Sequence, residues 1–451
     1  MSENAKLTRG SIPGHLVSQT LPGIIGVAAM MSIGIVDAYY IGQLGSTELA
    51  AVSFIFPINV ALASLGVGVM VGISSVVARA LGEGDTAKAA QRANFGIAMA
   101  IAFGAVIGCA LYAVHEPLFR LMNAGDEHLP LIEAYILPYA LGFPLLVANM
   151  AMSGALRGQG EASRTSAINI TYAVVNWVLN PILVTGTGNF EGFGIAGSAY
   201  ATLTGWVVGM MVALRLMRGT LLPVDFSLLR ETPPLDPLRS ILRVAGPAAL
   251  SNAINPIGLS VLTALVATES ANAVAGFGAA ARVQSFALVP LLALSGSIGG
   301  IVGQNWGAGQ YDRARQAALY AGLFCIGWGL ATATVLILAG SWLGQVFSDD
   351  PAVVGEFGRY LSIAAWGYAG FGVLIVGNGA LNAIDRSSFA LMQSCARVFL
   401  VMLPLAWFLR GSWGADAIYA AELAANLFGG IVASLVVWRL LRAPMAEPSL
   451  A

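Results

Sequence analysis

Twelve apolar stretches follow one another along this chain, at 19–41, 48–77, 90–113, 130–154, 165–186, 194–216, 241–267, 273–302, 315–345, 354–380, 388–409 and 415–438. A helix needs about 20 such residues to cross the ~30 Å hydrocarbon layer of a bilayer. Gly and Pro interrupt many of the stretches, which a membrane helix tolerates because neighbouring helices satisfy the freed backbone groups. Gly66, Gly68 and Gly72 in the second stretch leave room for close helix approach. Only 10% of the residues are charged and 57% are hydrophobic, against roughly 25% charged in a soluble domain. That composition excludes a water-soluble enzyme, a disordered chain and a nucleic-acid binder. The 22 basic and 23 acidic residues nearly cancel, so no field exists to hold phosphate backbones. The expected fold is an all-α polytopic membrane protein with 12 transmembrane helices.

The first apolar run is too long for the core of a signal peptide and is expected to stay as the first span. With the N-terminus inside and the spans alternating, 18 of the 22 cationic residues fall on the cytoplasmic side. The positive-inside rule therefore supports an even number of spans with both termini cytoplasmic. The expected location is the bacterial inner (plasma) membrane.

A shift of 225 residues aligns separate features of the two halves. Gly82-Glu83-Gly84 meets Gly307-Ala308-Gly309, Lys88 meets Arg313, and Gly154-Ala155-Leu156 meets Gly379-Ala380-Leu381. The expected organisation is two six-helix bundles, 1–225 and 237–451, joined by a proline-rich cytoplasmic linker at 221–237. Six is even, so both bundles insert with the same orientation, related by an axis along the membrane normal. Two parallel bundles around a cleft suit an alternating-access carrier. Under the shift Asp37 falls on Leu262 and Asn180 on Leu405. The first half thus keeps polar groups in its interior where the second half is expected not to, and an ion-handling site is expected in the first half.

Cys109, Cys325 and Cys395 stand far apart in apolar stretches, and three histidines match no metal-binding spacing. Neither lysine, Lys6 or Lys88, follows the glycine pattern of a phosphate loop, so transport is expected not to be driven by an ATPase on this chain. No D-D-x-x-D occurs, which argues against a membrane prenyl transferase needing magnesium pyrophosphate. The expectation is a transporter and not an enzyme, with no cofactor and no metal.

Several segments resemble the multidrug and toxic compound extrusion (MATE) family. They are Val36-Asp37-Ala38-Tyr39-Tyr40-Ile41-Gly42-Gln43-Leu44-Gly45, Ala78-Arg79-Ala80-Leu81-Gly82-Glu83-Gly84-Asp85, Gly154-Ala155-Leu156-Arg157-Gly158-Gln159-Gly160 and Gly303-Gln304-Asn305-Trp306-Gly307-Ala308-Gly309. An aspartate in span one, without acids at the matching places of spans seven and ten, is similar to the DinF-type branch. Asn255 stands where the norM-type branch would carry its span-seven acid. The resemblance implies a V-shaped twelve-helix antiporter that exports lipophilic, often cationic compounds in exchange for protons or sodium ions, with Asp37 as the coupling residue. Some DinF-type members carry Asn and then Asp four residues on in span five. Here the pair is Asn176 and Asn180, which favours protonation of Asp37 over a two-carboxylate sodium site. The partners implied are small substrates, the coupling ion and membrane lipids, with a monomeric chain. A lipid-linked saccharide flippase is the alternative, though Arg282 and Arg397 are the only cations expected in its cavity.

An ionisable residue inside a span reads as functional by default, because its charged form is costly in hydrocarbon. Asp37 lies in the outer third of span one. Met30, Ile33 and Gly34 precede it by 7, 4 and 3 residues on the same helix face and suit a greasy cation. Asn176 and Asn180 stand one turn apart on span five, so their amides point the same way. Thr202 in span six is a further candidate for the same polar site. Glu422 in span twelve is the acid singled out in the second half.

Overall fold

The structure, a computed structural model, describes residues 5–230 and 233–442. Six helices long and apolar enough to cross a membrane come first: α1 Ile12–Gly42, α2 Ser46–Glu83, α3 Thr86–Leu121, α4 Leu129–Gly158, α5 Ala162–Thr185 and α6 Ile195–Arg218. α7, Leu235–Ala267, is followed by α8, a pair of helices, Ala271–Ala287 and Val289–Gly307, bent by 42° at their junction. The last four are α9 Tyr311–Leu338, α10 Pro351–Ala383, α11 Ser387–Trp413 and α12 Ala415–Leu440. With the bent pair taken as one crossing there are up to 12, among the described residues. These residues contain no strand; one isolated bridge joins Thr187 to Phe190.

Most of the helices start earlier than the apolar windows. α1 begins at Ile12 because Ser11 caps the Gly14 N–H and a proline fits its first turn. Pro22 and Pro247 therefore lie inside α1 and α7. The leading turns are polar, so hydropathy overlooks them. The ninth span is shorter than its window: α9 ends at Leu338 and a separate short helix, Gly340–Phe347, follows. In the connection after α6, Asn94 donates to the Pro223 carbonyl and accepts from the Asp225 N–H. Bonds from Ser227 hold the Asp225 carboxyl below its ordinary pKa. Residues 231 and 232 of the expected linker, and 1–4 and 443–451 of the expected bundles, lie outside the described residues.

Two apolar cores form. One runs from Ile41 to Ala245, the other from Ile254 to Leu441. Two helices cross between them. Ile12 and Leu16 at the start of α1 pack into the second core, and Ile241 and Ala245 at the start of α7 pack into the first. Glycines allow the crossing: a Cβ on Gly68 would stand 2.5 Å from the Ala245 carbonyl oxygen, and one on Gly72 2.9 Å from that of Ile241.

The halves are sealed together where α2, α4, α8 and α10 end. Ser75 Oγ donates to the Asn382 carbonyl (2.6 Å) and Arg79 Nη1 to that of Ala383 (2.9 Å). Gln304 Nε2 donates to the Gly158 carbonyl (2.8 Å). The 225-residue repeat is legible in this seal. A Cβ on Gly82 would lie 2.2 Å from the Gln304 carbonyl oxygen, and one on Gly307 would lie 2.2 Å from that of Arg79. Residue 82 thus meets 304, the shifted counterpart of 79, and residue 79 meets 307, the shifted counterpart of 82. These glycines are contact points between helix ends.

Candidate functional site

α5 carries Tyr172, Asn176 and Asn180 at four-residue spacing, so the three share a stripe. Immediately after Asn180 the helix widens into a π turn, Pro181–Thr185, a distortion that recurs at functional sites. α11 widens in the same way over Ala396–Met402. The stripe on α5 faces α1 and α6. Asn180 Nδ2 donates to Asp37 Oδ1 and to Asn176 Oδ1 (3.2 Å). Asn176 Nδ2 donates in turn to Thr202 Oγ1 (3.2 Å). The four polar residues expected to cluster are therefore joined in one chain of hydrogen bonds. Asn176 and Asn180 are fully buried, and Asp37 is half-buried. The polar neighbours of Asp37 are Asn180, Ser198 and Asn176, with no cationic side chain among them. Asn180 Oδ1 and Ser198 Oγ are buried and have no hydrogen-bond partner.

Beside this cluster lies a chamber of about 580 Å³ lined by methionines, Tyr172 and Trp206. Met30 lines it, but Ile33, Gly34 and Asp37 do not. Ile33 is buried against Ala29 of its own helix and Ala173 of α5, and Gly34 is exposed with open space where a Cβ would stand. Four residues on a common stripe of α1 thus part company, because α5 covers Ile33 and leaves Gly34 uncovered. Tyr172 links cluster to chamber, since its ring lines the chamber and its hydroxyl feels the charge of Asp37.

A second chamber, of about 290 Å³, lies between the halves and is lined by Ser74, Ser75, Ser251, Asn255, Asn378 and Asn382 among others. Arg157 borders both chambers. Reading the sequence placed Arg157 in a cytoplasmic loop, but α4 continues through Gly158 and carries it inward.

The expectation that the second half lacks interior polar groups is wrong. Glu422 is buried and accepts from Gln284 Nε2 (3.0 Å) and the Tyr360 hydroxyl (3.0 Å). Arg397, on the π turn of α11, donates to Asn426 Oδ1 (2.6 Å) and Asn255 Oδ1 (2.5 Å), with Phe371 beneath it at 5.0 Å. Gln284 and Tyr360 are the 225-shifted counterparts of Asn59 and Tyr135, and each pair is hydrogen-bonded, whereas Glu422 falls on Gly197 and Arg397 on Tyr172, so the charged groups have no charged counterpart in the first half. Arg282 is exposed. Tyr135, Tyr139 and Trp206 also escaped notice. Tyr139 meets Trp206 edge-on at 5.1 Å, and Tyr135 accepts from Asn59 Nδ2 at 3.4 Å. The four-residue spacing of Tyr135 and Tyr139 was the available signal.

The MatE family model matches residues 22–182 and again 247–408. The FAD transporter of Shewanella oneidensis is 32% identical over 447 residues, covering 98% of this chain and 97% of that protein. The probable multidrug resistance protein YpnP of Bacillus subtilis is 27% identical, covering 89% of this chain and 88% of that protein. Among solved structures, a mutant of the Vibrio cholerae MATE transporter VcmN superposes with a TM-score of 0.90 at 26% identity, over 96% of this chain and 98% of that one. An outward-facing MATE transporter of the MOP superfamily gives 0.91 at 25% identity, over 98% of each chain. Eleven apolar crossings, or 12 with the bent pair, among the described residues, two matches to one family model and full-length likeness to its members lead to one conclusion: this chain belongs to the MATE family of multi-pass membrane transporters.

Proposed function

We propose that the chain is a proton-coupled antiporter of the DinF type that exports small lipophilic compounds across a bacterial inner membrane. Its two bundles, 1–225 and 237–451, would rock about the cleft, with both termini cytoplasmic. The observation that carries this reading is the setting of Asp37. Ionised, its carboxylate accepts from Asn180. Protonated, the carboxyl becomes a donor, and two buried acceptors in the same cluster, Asn180 Oδ1 and Ser198 Oγ, are without partners. Both protonation states are therefore served by hydrogen bonds, and no cation holds the carboxylate ionised. Charge on Asp37 favours a cationic substrate near Tyr172, and protonation removes that Coulomb attraction and releases it. The names of the relatives in Bacillus and Staphylococcus support drug-like substrates. The Shewanella relative, named as an FAD transporter, favours a second reading in which a flavin nucleotide is carried.

Purified protein in proteoliposomes tests the coupling. Substrate export is expected with a pH gradient alone and no sodium. Transport driven by a sodium gradient without a pH gradient would overturn the proton reading.

A further inference from the structure

Arg157 is a half-buried guanidinium at the meeting point of three cavities. Among the described residues it makes no hydrogen bond and no ion pair, whereas Arg79 and Arg397, the other arginines of the interior, are each bonded. No Asp or Glu lines any of the three cavities. A cation inside a membrane protein ordinarily pairs with an acid or a carbonyl, so a guanidinium bordering cavities without a counter-charge has donors to offer an anion. The surroundings are built for this placement. α8 crosses Arg157 at Gly296, where a Cβ would stand 2.0 Å from Nη1, so only glycine leaves the guanidinium its space. The polar chamber adds donors: Arg397 takes the oxygen of Asn255, which leaves that amide its NH2 group to offer. The polar and apolar chambers share Val27, Met70, Leu292 and Arg157. A molecule with its charged group at Arg157 can thus lay a flat or apolar body against Tyr172 and Trp206.

We propose that Arg157 anchors an anionic group, phosphate or carboxylate, of an amphipathic ligand whose ring or chain occupies the chamber beside it. The site is separate from Asp37 and rests on the transporter reading of the same cleft. Guanidinium and phosphate suit each other because the planar fork donates two parallel bonds. The anion can belong to a soluble aromatic phosphate or to a lipid headgroup, and the test tells them apart.

Full-length protein in detergent is titrated with FMN and with riboflavin, which share one ring system and differ by a phosphate, and fluorescence anisotropy reads binding. A parallel arm titrates short-chain phosphatidylglycerol against short-chain phosphatidylcholine. A charge-assisted contact predicts a preference for the anion of about ten- to a hundredfold. Arg157→Gln is expected to erase the preference, Arg157→Lys to keep part of it, and Gly296→Ala to erase it by displacing the guanidinium. Each variant is compared with wild type by size-exclusion profile and melting temperature. An arginine placed merely to suit the end of α4 would move the melting temperature and leave ligand preference alone. Arg157-dependent preference for FMN assigns the site to a soluble anion, and for phosphatidylglycerol alone to a lipid headgroup. No Arg157-dependent preference in either arm overturns the proposal. Binding is read at equilibrium with no gradient, so this outcome is independent of proton exchange at Asp37.

Discussion

Asp37 in the first half and Glu422 in the second are both carboxyls inside membrane spans, yet their neighbours differ in kind. Gln284 donates to one oxygen of Glu422, the Tyr360 hydroxyl lies 3.0 Å from the other and 2.9 Å from Gln284 Oε1, so its one proton serves either, and the charge of Arg397 lies near enough to act on Glu422. Asp37 has an amide donor on one oxygen, no cation nearby, and unpaired acceptors beside it. A cation stands near the first carboxyl and none near the second. A buried acid near a cation has its charge compensated and is held as part of the fold. One that can be satisfied with or without its proton is free to exchange it. Each half holds a carboxyl inside a span; the charges around each separate them.

The comparison breaks most sharply at Asp37. Asp37→Asn is expected to fold and reach the membrane, and to lose pH-driven export in everted vesicles down to the level of vesicles lacking the protein. Wild-type export by this variant would remove the distinction between the halves. Asn180→Ala takes away the amide that stabilises the charged carboxylate. A hydrogen bond to a charged group is worth about 1.5–3 kcal/mol, and one pH unit corresponds to about 1.4 kcal/mol. Losing the bond favours the protonated form, so the midpoint of the export–pH curve should move to higher pH by about one unit or more. An unmoved midpoint would mean that Asn180 does not sense the charge on Asp37.

The second half is expected to answer through stability. Arg397→Met leaves the oxygens of Asn255 and Asn426 without their donor, which should lower stability by about 1–3 kcal/mol, read as a lower melting temperature in detergent, with the shape of the pH profile retained. Glu422→Gln keeps the size of the side chain and should cost about 1 kcal/mol, the scale of interhelical hydrogen bonds in membranes. A shifted pH profile in this variant would make Glu422 a proton carrier too and would erase the contrast. The smallest effect on coupling is expected from Leu262→Ala, at the place the repeat pairs with Asp37. Its pH dependence should match wild type.

Much of this molecule follows from local rules applied to the chain. Apolar length alone marks the spans, because crossing hydrocarbon demands a run of about 20 residues. The π-widened α5 still brings Asn176 and Asn180 to one side, because four residues make about one turn. The glycines at 82 and 307 announce themselves by the 225-residue shift, and the structure gives the reason in the contacts they make across the seal. The rest depends on which helix lies against which, and hydropathy carries no record of that. Met30, Ile33 and Gly34 share a face in sequence, but α5 buries one, the chamber takes another and the third is left exposed. Gln284, Tyr360 and Glu422 come from three different helices and are neighbours only once α8, α10 and α12 are packed. Arg157 reads as a loop cation after an apolar stretch. It becomes the guanidinium of the cleft because α4 runs on through Gly158 and because Gly296, on a distant helix, has no side chain to stand in its way.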